Sequence, residues 1–490
     1  IRFVKRKKLY SPQITSTGVD NKFPFLQCRF ATRIGIYALK KLLYSPVLIP
    51  RICSKKMYFK IHESNADEIL QLVCNTGIPT AGWINYTGIK ARSPATSADR
   101  EVKVSYENIS PLACADPVEP LVMSFDIEAY SHQVGKFPDA KHPDDQIFMI
   151  SCVFFRNSSK KFEREVLLTL GNPKDKVVGA ECIRFKIEAE LIEGFSKLVR
   201  EMNPHIITGW NILGFDIEYM IERSIQLAAF RTLSITGMHK SRGATKTKTI
   251  KWKSAAYSTQ EFQYLPWEGR ILVDLLPVIR RDHKLSNYKL DTVSKHFLGG
   301  AGKDDLPVEQ LFECYDVGIK DKNRVNTPIG RQKVSIAGKY CMVDSRLVAR
   351  LFTKTDTWIG LTEMAATCNV PIFDIVVRGQ QKRVFSQVYK FCKINGIVVE
   401  QDGYKAEENE RYVGAYVFTP KAGVYDNIVP FDFASLYPTT IIAYNIDYST
   451  LVKNKRVPNH KCHVIEWEDH LGCEHDPKVK RVKSLTALID

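Results

Sequence analysis

The chain has 490 residues, of which 44% are hydrophobic and 25% are charged, a composition typical of globular proteins with several packed domains. No apolar run approaches the roughly 20 residues that a transmembrane helix needs, so we expect a soluble protein. The 12 cysteines are scattered without paired spacing, which favours reduced thiols in a cytosolic or nuclear compartment over a disulfide framework.

The positive charge lies mostly at the amino-terminal end of the chain. The net charge is +16, and residues 1–58 contain 13 Lys or Arg and a single acid, Asp20, so this segment supplies +12 of the total. Bulk charge therefore does not predict nucleic-acid binding by the rest of the protein. Residues 1–58 suit a phosphate-binding arm, an organelle-targeting peptide or a poorly ordered extension, and we expect the extension.

Strand and helix patterns alternate after this segment. Residues 58–78 combine a strand pattern, an acid-rich turn and an amphipathic helix, and residues 81–88 are extended. Residues 120–131, "PLVMSFDIEAYS", have the pattern of a buried strand, and residues 148–156 are its expected hairpin partner.

The alternation continues with a helix at residues 187–202, a strand at 205–211 and a second helix at 216–228. Strands that alternate with helices in this way indicate a mixed sheet flanked by helices.

Asp126 and Glu128 lie two residues apart on the predicted strand at 120–131. Both side chains should therefore point to one face of the sheet, where they can share a cation. A D-x-E pair also arises by chance in a chain with 54 acids, and a turn at the end of the strand is the alternative.

Two predicted helices supply further candidate ligands. Asp216 begins the helix that follows a loop with Asn211, and Tyr340 and Asp344 lie four residues apart on one helix face. The alternatives are that Asp216 caps its helix and that Asp344 is a solvated surface acid. Four carboxylates would suit two Mg²⁺ ions about 4 Å apart for phosphodiester hydrolysis, with Tyr340 orienting the attacking water.

Several motifs resemble, in chain order, those of family B DNA polymerases. The three exonuclease motifs of that family are similar to "FDIEAYS", "GWNILGFD" and "YCMVD", and the stretch before the third is similar to "SNYKLDTVSKHFLG". The segments that lead into the polymerase palm are similar to "RGQQKRVFSQV", "YVGAYV" and "DFASLYPT". The resemblance is strongest to polymerases of large eukaryote-infecting DNA viruses, followed by delta-type enzymes.

The resemblance implies a role for each exonuclease residue. The implied metal ligands are Asp126, Glu128, Asp216 and Asp344. Tyr340 would orient water, whereas Asn211 and Phe215 would hold the unpaired primer end by contacts that tolerate any base. Residues 250–276 would form a hairpin that helps strand transfer between sites, or else a plain surface hairpin.

The same resemblance implies the residues of a polymerase site. An apolar strand is predicted to end at Asp432, which would bind both polymerase Mg²⁺ ions with help from the Phe433 carbonyl. The incoming triphosphate would lie on the backbone of Ser435, Leu436 and Tyr437. Tyr437 would also exclude a 2′-hydroxyl group, and a buried core tyrosine is the alternative.

The polymerase part departs from the family pattern in two ways. Tyr412 and Gly414 would contact DNA, but Ala415 stands where the family usually has glycine, which reduces backbone freedom. Two-metal phosphoryl transfer also needs a second carboxylate and a cationic group, and no matching aspartate pair or lysine follows Asp432. We therefore expect this chain by itself to lack polymerase activity.

A late cluster of Cys and His has the composition of a zinc site but not its spacing. Its members are Cys462, His463, His470, Cys473 and His475. Zinc sites usually combine two closely spaced pairs, so a loop inserted in the palm, with reduced cysteines, is the preferred interpretation.

The predicted fold class is α/β. It comprises an RNase H-like 3′→5′ exonuclease domain, followed by the start of a family B palm and preceded by part of a mixed α+β domain. The predicted segments are the basic extension at 1–58, the partial amino-terminal domain at 59–118, the exonuclease domain at 119–358 and an incomplete palm at 359–490.

The predicted function is DNA synthesis with proofreading in the parent protein, and Mg²⁺-dependent removal of 3′-terminal nucleotides by this chain, with Mn²⁺ as a substitute ion. The expected partners are a DNA primer–template, deoxynucleoside triphosphates and a sliding-clamp processivity factor, without a membrane. The expected compartment is the nucleus or a cytoplasmic viral replication site. The alternatives are a stand-alone DNA exonuclease and a non-catalytic DNA-binding remnant of a broken polymerase gene.

Overall fold

A computed structural model describes most of the chain. The described residues are 1–11, 21–30, 32–50, 52–133, 135–159, 161–241, 243, 246–254, 258–300, 306–400, 419–447, 449–450, 458–468 and 481–488. They fall into two compact units, which are Glu68–Gln387 and the described parts of Ile1–Asp67 with Val388–Asp490. Within these residues, no helix combines the length and the apolar character that crossing a membrane requires.

The secondary structure alternates between strands and helices over much of the chain. The strands are β1 (Arg2–Lys8), β2 (Phe23–Gln27), β3 (Ile84–Lys90), β4 (Val102–Pro111), β5 (Val122–Ala129), β6 (Ile147–Phe155), β7 (Arg164–Leu170), β8 (Glu181–Phe185), β9 (Ile206–Gly209), β10 (Lys248–Ser254), β11 (Ser258–Tyr264), β12 (Ile271–Asp274), β13 (Ile397–Val398), β14 (Cys462–Glu468) and β15 (Arg481–Leu488). The helices are α1 (Arg33–Leu42), α2 (Glu68–Thr76), α3 (Asp175–Val178), α4 (Glu188–Met202), α5 (Asp216–Gln226), α6 (Phe230–Ser234), α7 (Leu275–Asp282), α8 (Leu290–Leu298), α9 (Val308–Tyr315), α10 (Pro328–Lys354), α11 (Thr357–Cys368), α12 (Ile372–Val377), α13 (Gln380–Ile394) and α14 (Leu436–Ala443).

The centre of the larger unit is a mixed sheet with the strand order β12-β9-β5-β6-β7-β8. β6 pairs antiparallel with both β5 and β7, whereas β9 pairs in parallel with β5 and β12. Every residue of β6 is buried, so the sheet is covered on both faces. The mixed sheet flanked by helices, which the alternating pattern predicts, is confirmed.

Helices α10 and α4 cover opposite faces of this sheet. Ser151 of β6 donates a hydrogen bond from Oγ to the main-chain oxygen of Cys341 in α10, at 3.0 Å. Ser151 is paired with Asp126 of β5, and paired residues point to the same face. Phe125, which points the other way, packs its ring against Phe195 of α4 with centroids 5.4 Å apart. Asp126 therefore faces α10.

The predicted hairpin within residues 250–276 is present, because β10 and β11 pair antiparallel in full register. The amphipathic helix predicted within residues 58–78 is present as α2. The strand predicted at the start of that stretch is absent, since residues 58–62 carry no ladder of backbone hydrogen bonds.

Residues 1–58, for which the sequence predicts a poorly ordered extension, contain β1, β2 and α1. β1 pairs antiparallel with β2 and parallel with β13. The residues of α1 are all exposed or partly exposed. The assignment of residues 1–58, 59–118, 119–358 and 359–490 to separate domains stays a prediction.

A buried ion pair ties α4 and α5 to the loop between β5 and β6. Arg223 of α5 is 1% exposed and Glu188 of α4 is 2% exposed, and Arg223 Nε donates to Glu188 Oε1 at 2.8 Å. The guanidinium also donates to the main-chain oxygens of His142 and Pro143, at 2.8 and 3.2 Å. Glu188 Oε1 accepts a further bond from the N–H of Ile147 at 2.8 Å. Removing one charge would therefore leave the other buried without its partner.

We expect Arg223→Met to lower the free energy of unfolding by about 3–5 kcal/mol, because Glu188 then remains as a buried, uncompensated charge. The double variant with Glu188→Met should recover part of this loss. Lys251→Met is the matched control, since it breaks an exposed pair with Glu261 that is worth under about 1 kcal/mol. Urea unfolding followed by circular dichroism measures these differences, and equal losses in Arg223→Met and Lys251→Met would contradict the prediction.

Candidate metal centre

Asp126 and Glu128 lie within β5, near the end at which the strand leaves the core. Glu128 is buried and Asp126 is partly exposed. A carboxylate oxygen of each lies within 4.8 Å of the other and of the Sγ atom of Cys341. The two acids thus share one face of the strand, and the alternative of a turn at the end of the strand does not hold.

Asp216 is the first residue of α5 and is 3% exposed. Its Oδ1 accepts a hydrogen bond from the main-chain N–H of Ile127, in the middle of the acidic pair on β5, at 3.2 Å. Burial, together with the nearby charges of Asp274 and Asp344, raises the pKa of Asp216 to about 7. The helix-capping alternative does not hold, because the preceding residue occupies the N-cap position.

Helix α10 contributes Tyr340 and Asp344, one turn apart. Asp344 is buried, which excludes the alternative of a solvated surface acid, and Tyr340 is partly exposed. Ser345 Oγ lies 2.7 Å from Ser151 Oγ, and this hydrogen bond holds α10 against β6. Asp344 follows Cys341 by three residues on α10, and the Sγ atom of Cys341 lies within 4.8 Å of carboxylate oxygens of Asp126 and Glu128.

Helices α5 and α10 therefore both contact β5 beside its acidic pair, and each helix carries one of the other predicted acids. The four acids are Asp126 and Glu128 of β5, Asp216 of α5 and Asp344 of α10. Burial is the main cause of the raised pKa of Asp216, and the charges of Asp274 and Asp344 add to it. Hard divalent cations prefer oxygen ligands and would offset these charges. The donor set thus fits hard divalent cations.

Cys341 belongs to this cluster, and the sequence reasoning missed it. Its side chain is fully buried, and its Sγ lies 3.9 Å from the main-chain oxygen of Asp126. Burial and the adjacent carboxylates raise the pKa of this thiol well above its usual range, so the thiol is neutral. The sequence feature that could have identified Cys341 is its position three residues before Asp344, which places both residues on one helix face.

The loop between β9 and α5 carries Asn211 and Phe215. Gly209 ends β9, and a Cβ atom there would lie only 2.7 Å from the main-chain oxygen of Phe125, so glycine allows the close approach of β9 to β5. Asn211 has a φ of +63°, a conformation that asparagine adopts more readily than most residues. The ring of Phe215 meets the ring of Phe137 edge to face, with centroids 6.3 Å apart.

Phe137 is a second residue that the sequence reasoning missed. Its side chain is 88% exposed although it is aromatic, and it lies beside Phe215. The sequence feature that could have identified Phe137 is that it is the single aromatic residue in the polar loop "KFPDAKHPDD". Exposed aromatic rings offer stacking surfaces for unpaired bases.

The segment around Asp432 lies in the other unit and differs from its prediction. An apolar strand was expected to end at Asp432, but residues 428–433 form no strand. Phe431 and Phe433 are 93% and 73% exposed. Among the described residues no strand pairs with this segment, and its side chains are exposed.

The turn after Asp432 leads directly into α14, which begins at Leu436. Ser435 precedes it with a φ of +55°, a left-handed conformation. Tyr437, on the first turn of α14, is 69% exposed, so the alternative of a buried core tyrosine is wrong.

Other predicted residues fall outside the described part of the chain. They are Tyr412, Gly414, Ala415, His470, Cys473 and His475. Of the late Cys and His cluster, Cys462 is buried at the start of β14, and the ring of His463 meets Tyr444 edge to face at 5.7 Å.

Two family models match the chain. The model described as DNA polymerase family B, exonuclease domain, matches residues 59–293, and the model described as DNA polymerase family B matches residues 370–485. Together they cover more than half of the chain, in the order that the motifs predict.

Curated relatives agree with these matches. DNA polymerase 120R of Invertebrate iridescent virus 3 is 43% identical over 515 residues, which cover 100% of this chain and 44% of the relative. The DNA polymerase catalytic subunit of Human herpesvirus 8 type P is 31% identical and covers 85% of this chain and 40% of the relative. The DNA polymerase delta catalytic subunit of Plasmodium falciparum is 29% identical, and the match covers 91% of this chain and 41% of the relative. The chain therefore spans less than half the length of these relatives.

A solved structure supports the fold. The family B DNA polymerase from the hyperthermophilic archaeon Pyrobaculum calidifontis superimposes with a TM-score of 0.62 over 94% of this chain and 51% of that chain. The sequence identity is 18%, so this likeness concerns the fold alone.

We predict that ionised Asp216 destabilises the metal-free protein above pH 7. A carboxyl whose pKa is raised to about 7 in the folded state binds its proton more tightly when folded, because the unfolded value is about 4. The free energy of unfolding should therefore rise as the pH falls from 7 towards 4. Asp216→Asn lacks this contribution, so its stability relative to the unaltered chain should be greatest at pH 8 and smaller at pH 5.

Urea unfolding in the presence of EDTA at both pH values measures the difference, with Glu261→Gln, at an exposed acid on β11, as the control. Added Mg²⁺ should remove the advantage of Asp216→Asn at pH 8, because bound cations stabilise the ionised carboxylates. The same difference at pH 5 and pH 8 would show that Asp216 is not the titrating group.

Proposed function

This chain belongs to DNA polymerase family B, and we propose that it is the part of a replicative DNA-directed DNA polymerase that contains the 3′→5′ proofreading exonuclease and the first motif of the palm. The observation that carries the proposal is the contact of β5 with α5 and α10: Asp216 accepts a hydrogen bond from Ile127, between Asp126 and Glu128, and Cys341 of α10 lies within 4.8 Å of both acids. The reaction is hydrolysis of the terminal phosphodiester bond of a single-stranded 3′ end.

The acidic residues bind the cations of the nuclease site. They are Asp126, Glu128, Asp216 and Asp344. When bound, a pair of Mg²⁺ ions, or Mn²⁺ in their place, supplies the Lewis acidity that activates water and stabilises charge on the leaving 3′ oxygen. Tyr340 lies one turn from Asp344 on α10, and its phenol hydrogen-bonds the attacking water and orients it.

The strand end is held beside this cluster by Asn211 and Phe215. Phe215 directly precedes Asp216, so a base stacked on its ring has its phosphate close to the carboxylates. Phe137 extends the aromatic surface, since its ring lies next to Phe215. Stacking favours any unpaired base, as removal of any misincorporated nucleotide requires.

The second proposed activity is DNA synthesis by the whole protein, with a primer–template and deoxynucleoside triphosphates as substrates. The family resemblance gives Asp432 as a metal ligand and Tyr437 as the residue that excludes ribonucleotides, and the exposure of Tyr437 leaves it accessible to a nucleotide. The remaining nucleotide and DNA contacts are Phe433, Ser435, Leu436, Tyr412 and Gly414. The whole protein binds a sliding clamp as its processivity factor and works in the nucleus or at a cytoplasmic viral replication site.

We expect the chain to shorten a 5′-labelled single-stranded oligonucleotide stepwise from its 3′ end when Mg²⁺ is added, and EDTA to stop the reaction. Asp126→Ala and Asp344→Ala should each lower the rate by at least about 10³-fold, because two-metal hydrolysis loses a ligand in each case. Gel electrophoresis of the products measures the rate. Glu261→Gln, an exposed acid on β11, is the control and should retain full activity.

An intact oligonucleotide after incubation with folded protein and Mg²⁺ would favour the non-catalytic remnant over a nuclease. Degradation that proceeds equally well in Asp126→Ala would assign the activity to a contaminant or to another site.

Phe215→Ala should raise KM for single-stranded DNA by about tenfold, because stacking is worth about 1–3 kcal/mol per base, and kcat should change less. The effect should be similar for each of the four terminal bases. Ile225→Ala, a substitution at an exposed apolar residue on α5, is the control. A Phe215→Ala variant with unchanged KM would remove Phe215 from the DNA-binding surface.

A further inference from the structure

Asp274 ends β12 and is 1% exposed. β12 pairs in parallel with β9, and Asp274 lies opposite Gly209, the last residue of β9. The loop that leads from β9 into α5 starts at this point. The carboxylate of Asp274 is therefore next to the loop that carries Asn211 and Phe215.

This carboxylate accepts three main-chain hydrogen bonds. Oδ1 accepts from the N–H of Asn211 at 2.9 Å and from the N–H of Leu276 at 3.1 Å, and Oδ2 accepts from the N–H of Leu213 at 3.0 Å. The bond to Leu276 caps α7. The bonds to Asn211 and Leu213 have a different consequence, because they attach the loop to the edge of the sheet.

The loop has an unusual backbone that needs such attachment. Asn211 adopts a φ of +63°, and a non-glycine residue in this region persists only where its surroundings fix it. The main-chain oxygen of Asn211 accepts from the N–H groups of Gly214 and Phe215, at 2.9 and 3.0 Å. The position of Asn211 therefore determines the position of Phe215, and with it the start of α5 at Asp216.

We propose that Asp274 is a positioning residue for the 3′ end of the DNA strand, which it orients through its bonds to the loop that carries Asn211 and Phe215. This inference rests on the proposed exonuclease function. Asp274 itself touches neither the DNA nor the cations. A helix cap alone needs only one acceptor. Here the capping oxygen, Oδ1, also accepts from Asn211 of the loop, and the second oxygen, Oδ2, accepts from Leu213.

Asp274→Ser separates the two tasks of the carboxylate. Serine is a good helix-capping residue and can accept from the N–H of Leu276, but its single short hydroxyl cannot also reach the N–H groups of Asn211 and Leu213. Thr327→Ala is the matched control, because Thr327 caps α10 by accepting from Gly330 at 3.2 Å and lies far along that helix from Tyr340. It should lose helix capping without any effect on DNA binding.

The first measurement is fluorescence anisotropy of a labelled oligothymidylate of about ten nucleotides, with Ca²⁺ in place of Mg²⁺ to prevent hydrolysis. Asp274→Ser should raise Kd about tenfold, whereas Thr327→Ala should leave it unchanged. Phe215→Ala should raise Kd about tenfold in the unaltered chain but less than about threefold in the Asp274→Ser background, because the loop is already displaced there. An unchanged Kd in Asp274→Ser, or equal effects of Phe215→Ala in both backgrounds, would overturn the inference.

The second measurement is amide hydrogen exchange of the peptide that spans Asn211 and Leu213, which does not depend on nuclease activity. Asp274→Ser should accelerate exchange in this peptide, and Thr327→Ala should not. A chain that fails to hydrolyse DNA with Mg²⁺ would refute the proposed function, and unchanged exchange in Asp274→Ser would refute the positioning role. The two failures are therefore distinguishable.

Discussion

The burial of carboxylates beside the central strand β5 is the constraint on which the proposed site depends. Asp216 is almost fully buried and bonds to the backbone of β5 at Ile127, between the two acids of that strand. Burial and the neighbouring charges raise its pKa, so the folded chain holds negative charge where the solvent cannot offset it. Divalent cations bound at the proposed site would replace the lost solvation and stabilise the folded chain.

The rest of the larger unit holds these acids in place from several directions. The hydrogen bonds of Ser151 fix α10 to β6 on one face of the sheet, and the contact between Phe125 and Phe195 fixes α4 on the other. The buried pair of Arg223 and Glu188 ties α5 to α4 and to the loop after β5. Each of these contacts joins residues that are distant in the sequence. A substitution far from the acids can therefore disturb their geometry.

The sequence predicts most of the sheet and the acidic cluster, because buried strands and amphipathic helices have periodic patterns and the motifs are specific. It does not predict the proposed roles of Phe137 and Asp274, which depend on contacts with Phe215 and Asn211 that only the folded chain creates. The expected strand before Asp432 is absent for a related reason. An apolar stretch forms a strand when it pairs with a neighbouring strand and packs on a core, and in the part of the chain that the structure describes residues 428–433 do neither.

The most direct test of the acidic cluster is the anomalous scattering of Mn²⁺ in crystals of the 490-residue chain. Two peaks about 4 Å apart are expected, each within about 2.5 Å of carboxylate oxygens of the cluster. The ligands should be Asp126, Glu128, Asp216 and Asp344, and both peaks should disappear in the double variant Asp126→Ala/Asp216→Ala. Bound Mn²⁺ that contacts none of these four residues in crystals of the unaltered chain would contradict the account.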